Sequence, residues 1–241
     1  MTKKLYWDAG HGGADSGAVS KDGLKEKDLA IKVTKYAHAY IEDNYVCDQY
    51  LDVSDNSLNT ITARANKWKA DLVVSNHFNA YKPDVGDGYE GLVYNSKNKA
   101  LGQMFEKYVK AVGQNSRGVK YRDDLAILRD TNCKAILNEI AFIDTKKDIK
   151  DWDEDKELKV MGEALAKAAA DWLNLPEKKT LKKGAKVKIK SGAKDLNTGK
   201  KYSAFVYLKT YTVISIDKNR VVFGQNGDVT GATNKTNIKL V

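Results

Sequence analysis

The segment WDAGHGGADSGAVSKDGLKEKD, residues 7–28, decides how the chain is read. It follows a short apolar run, KLYW at 4–7, and leads into a helical pattern. A strand that breaks at glycines and feeds a helix is the opening unit of an alternating α/β fold. His11 sits inside this glycine loop, and His38 and His77 are the only other histidines in 241 residues.

Outward from this loop the same grammar repeats. Leu29, Val33, Tyr36, Ala37 and Tyr40 recur at helical spacing. YVCDQYL at 45–51 reads as a strand, and 57–69 as a helix capped by Asp55 or Ser57. DLVVSNHFNA at 71–80 is an apolar strand with a polar end, and GYEGLVYN at 88–95 has the aromatic and β-branched content of a strand. A helix over 99–112 follows, then KAILNEIAFI at 134–143, a strand of buried type. Leu158, Met161, Leu165, Ala168, Ala169 and Trp172 mark one face of a last helix. The alternation predicts an α/β domain whose mostly parallel sheet is flanked by helices on both faces.

Charge divides the chain. Residues 1–175 hold 26 Lys and Arg against 28 Asp and Glu, a net of −2; residues 176–241 hold 15 against 4, a net of +11. The composition changes within WLNLPEKKTLKKGAK, where a helical pattern runs through Pro176 into lysines. This predicts a junction at 175–180, with 1–175 as one domain and 176–241 as a second. Cys47 and Cys133 are too few for a disulfide framework and read as free thiols of a chain made in the cytosol. MTKKLYWDAGHGG has no apolar core and no small-residue cleavage site, so no export signal is expected. No apolar run nears the roughly 18 residues of a membrane span.

Ligands of parallel sheets bind beyond the carboxyl ends of the strands. Asp8 and His11 follow the first strand, His77 ends another, and Glu139 lies near the end of a third. Two imidazoles and a carboxylate make a His2Glu shell, a common zinc arrangement with a position left for water. Neither the dinucleotide nor the Walker glycine pattern fits the loop. Its glycines instead permit a sharp turn and close approach of a bulky substrate. Spacing leaves the carboxylate open among Asp8, Asp15, Glu26 and Glu139. Asp15 suits an Asx turn, and Glu26 suits a helix start. Glu139 inside an apolar strand needs a partner, either a metal site or a buried Lys or Arg. His38 reads as a packing or surface residue of the first helix.

Three motifs stand in order: DAGHGGADSGA with Glu26 after it, RANKWKADLVVSNHFNA, and ILRDTNCKAILNEIAFIDTKKD. Together they resemble the zinc-dependent N-acetylmuramoyl-L-alanine amidases of the amidase-3 class, over nearly all of 1–175. The resemblance implies a zinc ion on His11, Glu26 and His77, with Glu139 as catalytic base and then acid. It implies cleavage of the amide between N-acetylmuramic acid and L-alanine of peptidoglycan. Asn79 is a candidate substrate contact or brace for His77, and Arg64 reads as structural. The chain departs from the family pattern at Ala141, where glycine is common, and at QYLDVSD, where a Thr-Arg pair often stands.

The tail, with GAKVKIKSGA and then YTVISIDKNRVVFGQNGDVTGATNKTNIKLV, alternates apolar and polar residues between Gly and Asn turns. That predicts a small all-β module. It resembles bacterial SH3-type cell-wall-binding domains, which implies an SH3-like barrel. Its charge suits a polyanion: an anionic wall polymer such as teichoic acid is the partner the context implies, and nucleic acid is the rival. Tyr202, Phe205, Tyr207 and Tyr211 divide between core and a stacking surface. The combination resembles a phage endolysin, made in the host cytoplasm and acting on the wall after release. Two alternatives stay open: a wall-binding protein whose amidase fold has lost activity, and a nucleic-acid-binding protein led by the basic barrel.

Overall fold

Successive side chains of a strand point to opposite faces of its sheet, and the first strand, β1 (Lys4–Ala9), already shows what each face meets. Leu5 and Trp7 enter one apolar cluster and Tyr6 enters another. The computed structural model describes residues 2–54 and 58–241; the expected caps Asp55 and Ser57 lie outside the described residues. By contacts the chain divides into two units, residues 1–177 and 178–241.

In the first unit, β1, β2 (Asp48–Asp52), β3 (Leu72–Asn79), β4 (Tyr89–Val93), β5 (Ser116–Tyr121) and β6 (Lys134–Phe142) form one sheet. Its order is β2-β1-β3-β6-β4-β5, and all neighbours are parallel except β4 against β6. The helices are α1 (Glu26–Asn44), α2 (Leu58–Trp68), α3 (Lys99–Ala111), α4 (Ala126–Arg129), α5 (Lys146–Ile149) and α6 (Asp155–Leu173). Trp7, Val74 and Ile136 pack with Val33 of α1, Phe105 of α3 and Leu165 of α6. Tyr6, Val73 and Leu137 pack with Ile61 and Ala65 of α2 and Leu128 of α4 on the opposite face. The domain is therefore a mostly parallel sheet with helices on both faces, as its alternation predicts. Strand β5 and the single-turn helices α4 and α5 add to the elements the pattern announced.

A buried polar chain ties the central strands. Asn76 donates to Thr34 Oγ1 at 3.0 Å, Asn138 donates to Asn76 Oδ1 at 2.9 Å, and the Tyr89 hydroxyl donates to Asn138 Oδ1 at 2.7 Å. Each strand member immediately precedes a charged or imidazole residue: His77, Glu139 and Glu90. Because adjacent residues face opposite ways, the network sits behind those three side chains and holds β3, β6 and β4 in register.

The second unit holds β7 (Lys186–Ile189), α7 (Ala204–Leu208), β8 (Tyr211–Asp217), β9 (Arg220–Gln225), β10 (Asp228–Asn234) and β11 (Ile238–Leu240). The strands form an antiparallel sheet in the order β10-β9-β8-β7-β11. Val187, Ile189, Tyr211, Val213, Val221 and Phe223 are in its core. The four tail aromatics separate clearly. Tyr211 is buried; Tyr202 and Tyr207 are half-buried with hydroxyls donating to Ala232 O and Ala193 O; Phe205 is exposed, with Lys209 over its ring. Asp195 organises the turn region. Its carboxylate accepts from Asn197 N, Thr198 N, Tyr202 Oη and Ala232 N at 2.9–3.0 Å.

Candidate active site

Backbone geometry brings His11, Glu26 and His77 together. Gly10 N donates to Asn76 O, so the glycine loop is seated on the end of β3. His11 then adopts φ 62°, in the left-handed region that few side chains enter. Gly10 and Gly17 admit close contact from the protein's own side chains. A Cβ on Gly10 would stand 2.3 Å from the His77 ring, and one on Gly17 would stand 2.6 Å from Glu26 Oε2 and from the His11 ring. At Gly10 the close approach is made by the protein's own His77 imidazole.

Glu26 opens α1 and is buried. Its Oε2 lies 3.1 Å from His11 Nε2, and its Oε1 lies 3.0 Å from His77 Nδ1. It also accepts from Ala18 N and Phe78 N. One donor atom from each of the three residues lies within 4.8 Å of the others. Donors bound tetrahedrally to one small ion at about 2.0–2.2 Å stand about 3.3 Å apart, so the donor set and its spacing fit a divalent cation. Burial alone would raise the Glu26 pKa, but the hydrogen bonds to His11 and His77 bring it well below the usual carboxylate range. The hydrogen bond to Glu26, with Asp15 behind it, holds His11 up to about 9.

Asp15 fixes the His11 ring. Its Oδ2 lies 2.7 Å from Nδ1, which leaves Nε2 for the centre, and its Oδ1 accepts from Gly17 N in the Asx-type turn expected of it. Asp8 is buried and accepts from Ser75 Oγ at 2.5 Å, a brace between β1 and β3. His38 stands apart in α1, and burial lowers its pKa. Arg64 pairs with Asp52, which also accepts from Tyr6 Oη, a structural cluster. Cys47 and Cys133 are free, and burial pushes their thiols up to about 12 and about 11.

Glu139 is the register partner of His77 across β3 and β6. Its Oε2 is buried and has no hydrogen-bond partner among the described residues, so the Lys or Arg alternative is not what closes it. Burial pushes its pKa up to about 7. Asn79 donates to Glu90 Oε2 at 3.4 Å, and no hydrogen bond joins it to His77 among the described residues. Glu90 and Arg117, which the sequence did not single out, stand at the same edge; the signal was an Arg-Gly pair inside a short strand.

A mostly parallel sheet with two imidazoles and a carboxylate converging at its carboxyl edge, next to a buried second carboxylate, has the parts of a cation-assisted hydrolase. The family model for N-acetylmuramoyl-L-alanine amidase, Amidase_3, matches residues 6–171, and the chain belongs to this family. The endolysin of Bacillus phage SPP1 is 36% identical over 195 residues, covering 74% of this chain and 69% of that protein. The sporulation-specific N-acetylmuramoyl-L-alanine amidase of Bacillus subtilis (strain 168) is 31% identical over 158 residues; the match covers 60% of this chain and 58% of that relative. Among solved structures, an N-acetylmuramoyl-L-alanine amidase from Clostridium difficile 630 superposes with a TM-score of 0.68 at 26% identity, covering 72% of this chain and 97% of that one. No helix among the described residues is long and apolar enough to cross a membrane.

Proposed function

We propose that this chain hydrolyses the amide between the lactyl group of N-acetylmuramic acid and L-alanine in peptidoglycan, with zinc held by His11, Glu26 and His77. The observation that carries the mechanism is the buried Oε2 of Glu139, in register beside His77 and with no hydrogen-bond partner among the described residues. The chemistry a zinc ion supplies at such a centre is Lewis acidity, which lowers the pKa of water to about 7 and polarises a carbonyl.

The chain's own residues do the rest. Glu139 Oε2 takes a proton from the water that adds to the amide carbon. As the C–N bond breaks, the same carboxyl returns a proton to the departing L-alanine nitrogen. Burial raises the pKa of this carboxyl, which favours its taking up and returning a proton. Asp15 keeps the His11 ring turned toward the centre, and Glu26 sets the separation of the two imidazoles.

The second unit, with its excess of lysine, is proposed as an SH3-like module that holds the enzyme on an anionic wall polymer. Similarity to a phage endolysin supports a lytic role, with synthesis in a host cytoplasm and action on the wall after release. Digestion of purified peptidoglycan tests the reaction. New L-alanine amino termini without new reducing sugars are expected; new reducing ends, or no products, would overturn the assignment.

A further inference from the structure

Beside the proposed centre lies an arrangement of charge that the hydrolysis does not use. Glu90 on β4 is the register partner of Glu139, so His77, Glu139 and Glu90 form a row across three adjacent strands. The next strand departs from regular pairing. Tyr89 is opposite Ser116 but Gly91 is opposite Val119, so β5 carries one extra residue, with Gly118 at φ +85°. Bulges of this kind re-aim a side chain. Here the side chain is Arg117. Its Nε donates to Glu90 Oε1 at 2.6 Å, and its guanidinium lies 5.3 Å from the centre of the Phe142 ring.

This leaves the guanidinium held but not used up. Its Nη atoms make no hydrogen bond among the described residues. Arg117 is 43% exposed and Glu90 only 13%. Glu90 also faces Lys120 Nζ at 3.8 Å, so this carboxylate stands between two cations. Arg117, Glu90, Phe142, Asn79, Tyr81 and Val85 line a cavity of about 250 Å³, and the Glu90 carboxylate in it is held by Arg117 Nε. A guanidinium fixed at Nε presents its outer edge as a fork that matches a carboxylate.

We propose that Arg117 binds the carboxylate of the second stem-peptide residue, the one after L-alanine, and so favours stems in which that carboxylate is free over stems in which it is amidated. The assignment rests on the amidase reading above. An extended stem places that carboxylate about 7 Å from the scissile carbon. β5 lies two strand spacings of about 4.8 Å from β6, and Arg117 leans from it over Phe142, so a stem that runs from Glu139 across the strands toward β5 brings that carboxylate to the guanidinium.

Two muropeptides test it, each extended by a third residue so that the γ-carboxyl is taken up in a peptide bond: N-acetylmuramoyl-L-alanyl-γ-D-glutamyl-L-lysine amide, and the same molecule with its glutamyl α-carboxyl amidated. The wild-type chain should cleave the carboxylate form with kcat/KM about tenfold above the amidated form. R117Q should slow only the carboxylate form and erase the preference, and R117K, which keeps charge without the fork, should fall between. Calorimetric titration of E139Q with both intact muropeptides reads the same preference without turnover; adding R117Q should remove it. Equal wild-type kinetics on the two forms, or an R117Q loss of equal size on both, overturns the assignment. Failure of the wild type to cleave either form overturns the amidase reading, and this assignment with it.

Discussion

Glu139 sits in a strand whose neighbours Ile140 and Ala141 are fully buried, and a carboxylate there without a partner is costly unless the site uses it. E139A should therefore keep its bound cation and lose hydrolysis by about 10²- to 10⁴-fold, while H77A should lose both. Metal content by elemental analysis and release of L-alanine amino termini read the two properties separately. Wild-type lysis by E139A would exclude its role as base. D15A removes the group that orients His11, and residues of that kind typically alter cation affinity by about 10- to 100-fold. Chelator competition measures it; an unchanged affinity would show that Asp15 serves only the turn. At this scale the sequence was half legible. The scarcity of histidine and the strand ends pointed to His11 and His77. The choice of Glu26 over Asp8, Asp15 and Glu139 depends on how a loop of 16 residues folds back onto β3, which spacing cannot express; family resemblance supplied it.

Strands that meet in the centre of the sheet carry their own internal fastening. N138A would leave the Tyr89 hydroxyl and Asn76 Oδ1 buried without partners, each costing about 1–3 kcal/mol. A marked drop in Tm is expected, with a weaker effect on the second unit's transition. In that unit, partial burial opposes the charge of Asp195, but hydrogen bonds from Ala232 N, Tyr202, Asn197 and Thr198 outweigh it and lower its pKa. A depressed folded pKa contributes stability above the ordinary value of about 3.9, and that stability is lost as pH falls through the folded value. Melting of the second unit at pH 7 and near pH 3 should therefore differ less in D195N than in the wild type; equal pH dependence would contradict the assignment. Among the elements, β1, β3 and β6 were readable because their apolar runs face helices on both sides. β5 was not, since SRGVKY lies at the sheet edge with half-buried or exposed residues and a glycine where the bulge falls. Helices α4 and α5 are too short to show a period.

The two units differ in chemistry as sharply as in fold, and the charge imbalance between them has a measurable consequence. If the second unit holds an anionic polymer, retention of the full chain on purified walls should fall steeply as salt rises from about 0.05 to about 0.3 M. Cleavage of a small soluble muropeptide should change far less. Tight retention on DNA with none on walls would favour the nucleic-acid reading of the tail. Position in the strand order carries one more implication. β6 is made late yet lies between β3 and β4, both synthesised before it. A nascent chain that has left the ribosome only as far as β5 therefore exposes two unpaired edges around an empty slot, and it lacks Glu139 altogether. Such long-range insertion makes folding slow and leaves early intermediates open to aggregation. On the proposed mechanism a prematurely terminated product is also without hydrolytic activity, because the last strand to enter the sheet is the one that carries Glu139, the group proposed for proton transfer.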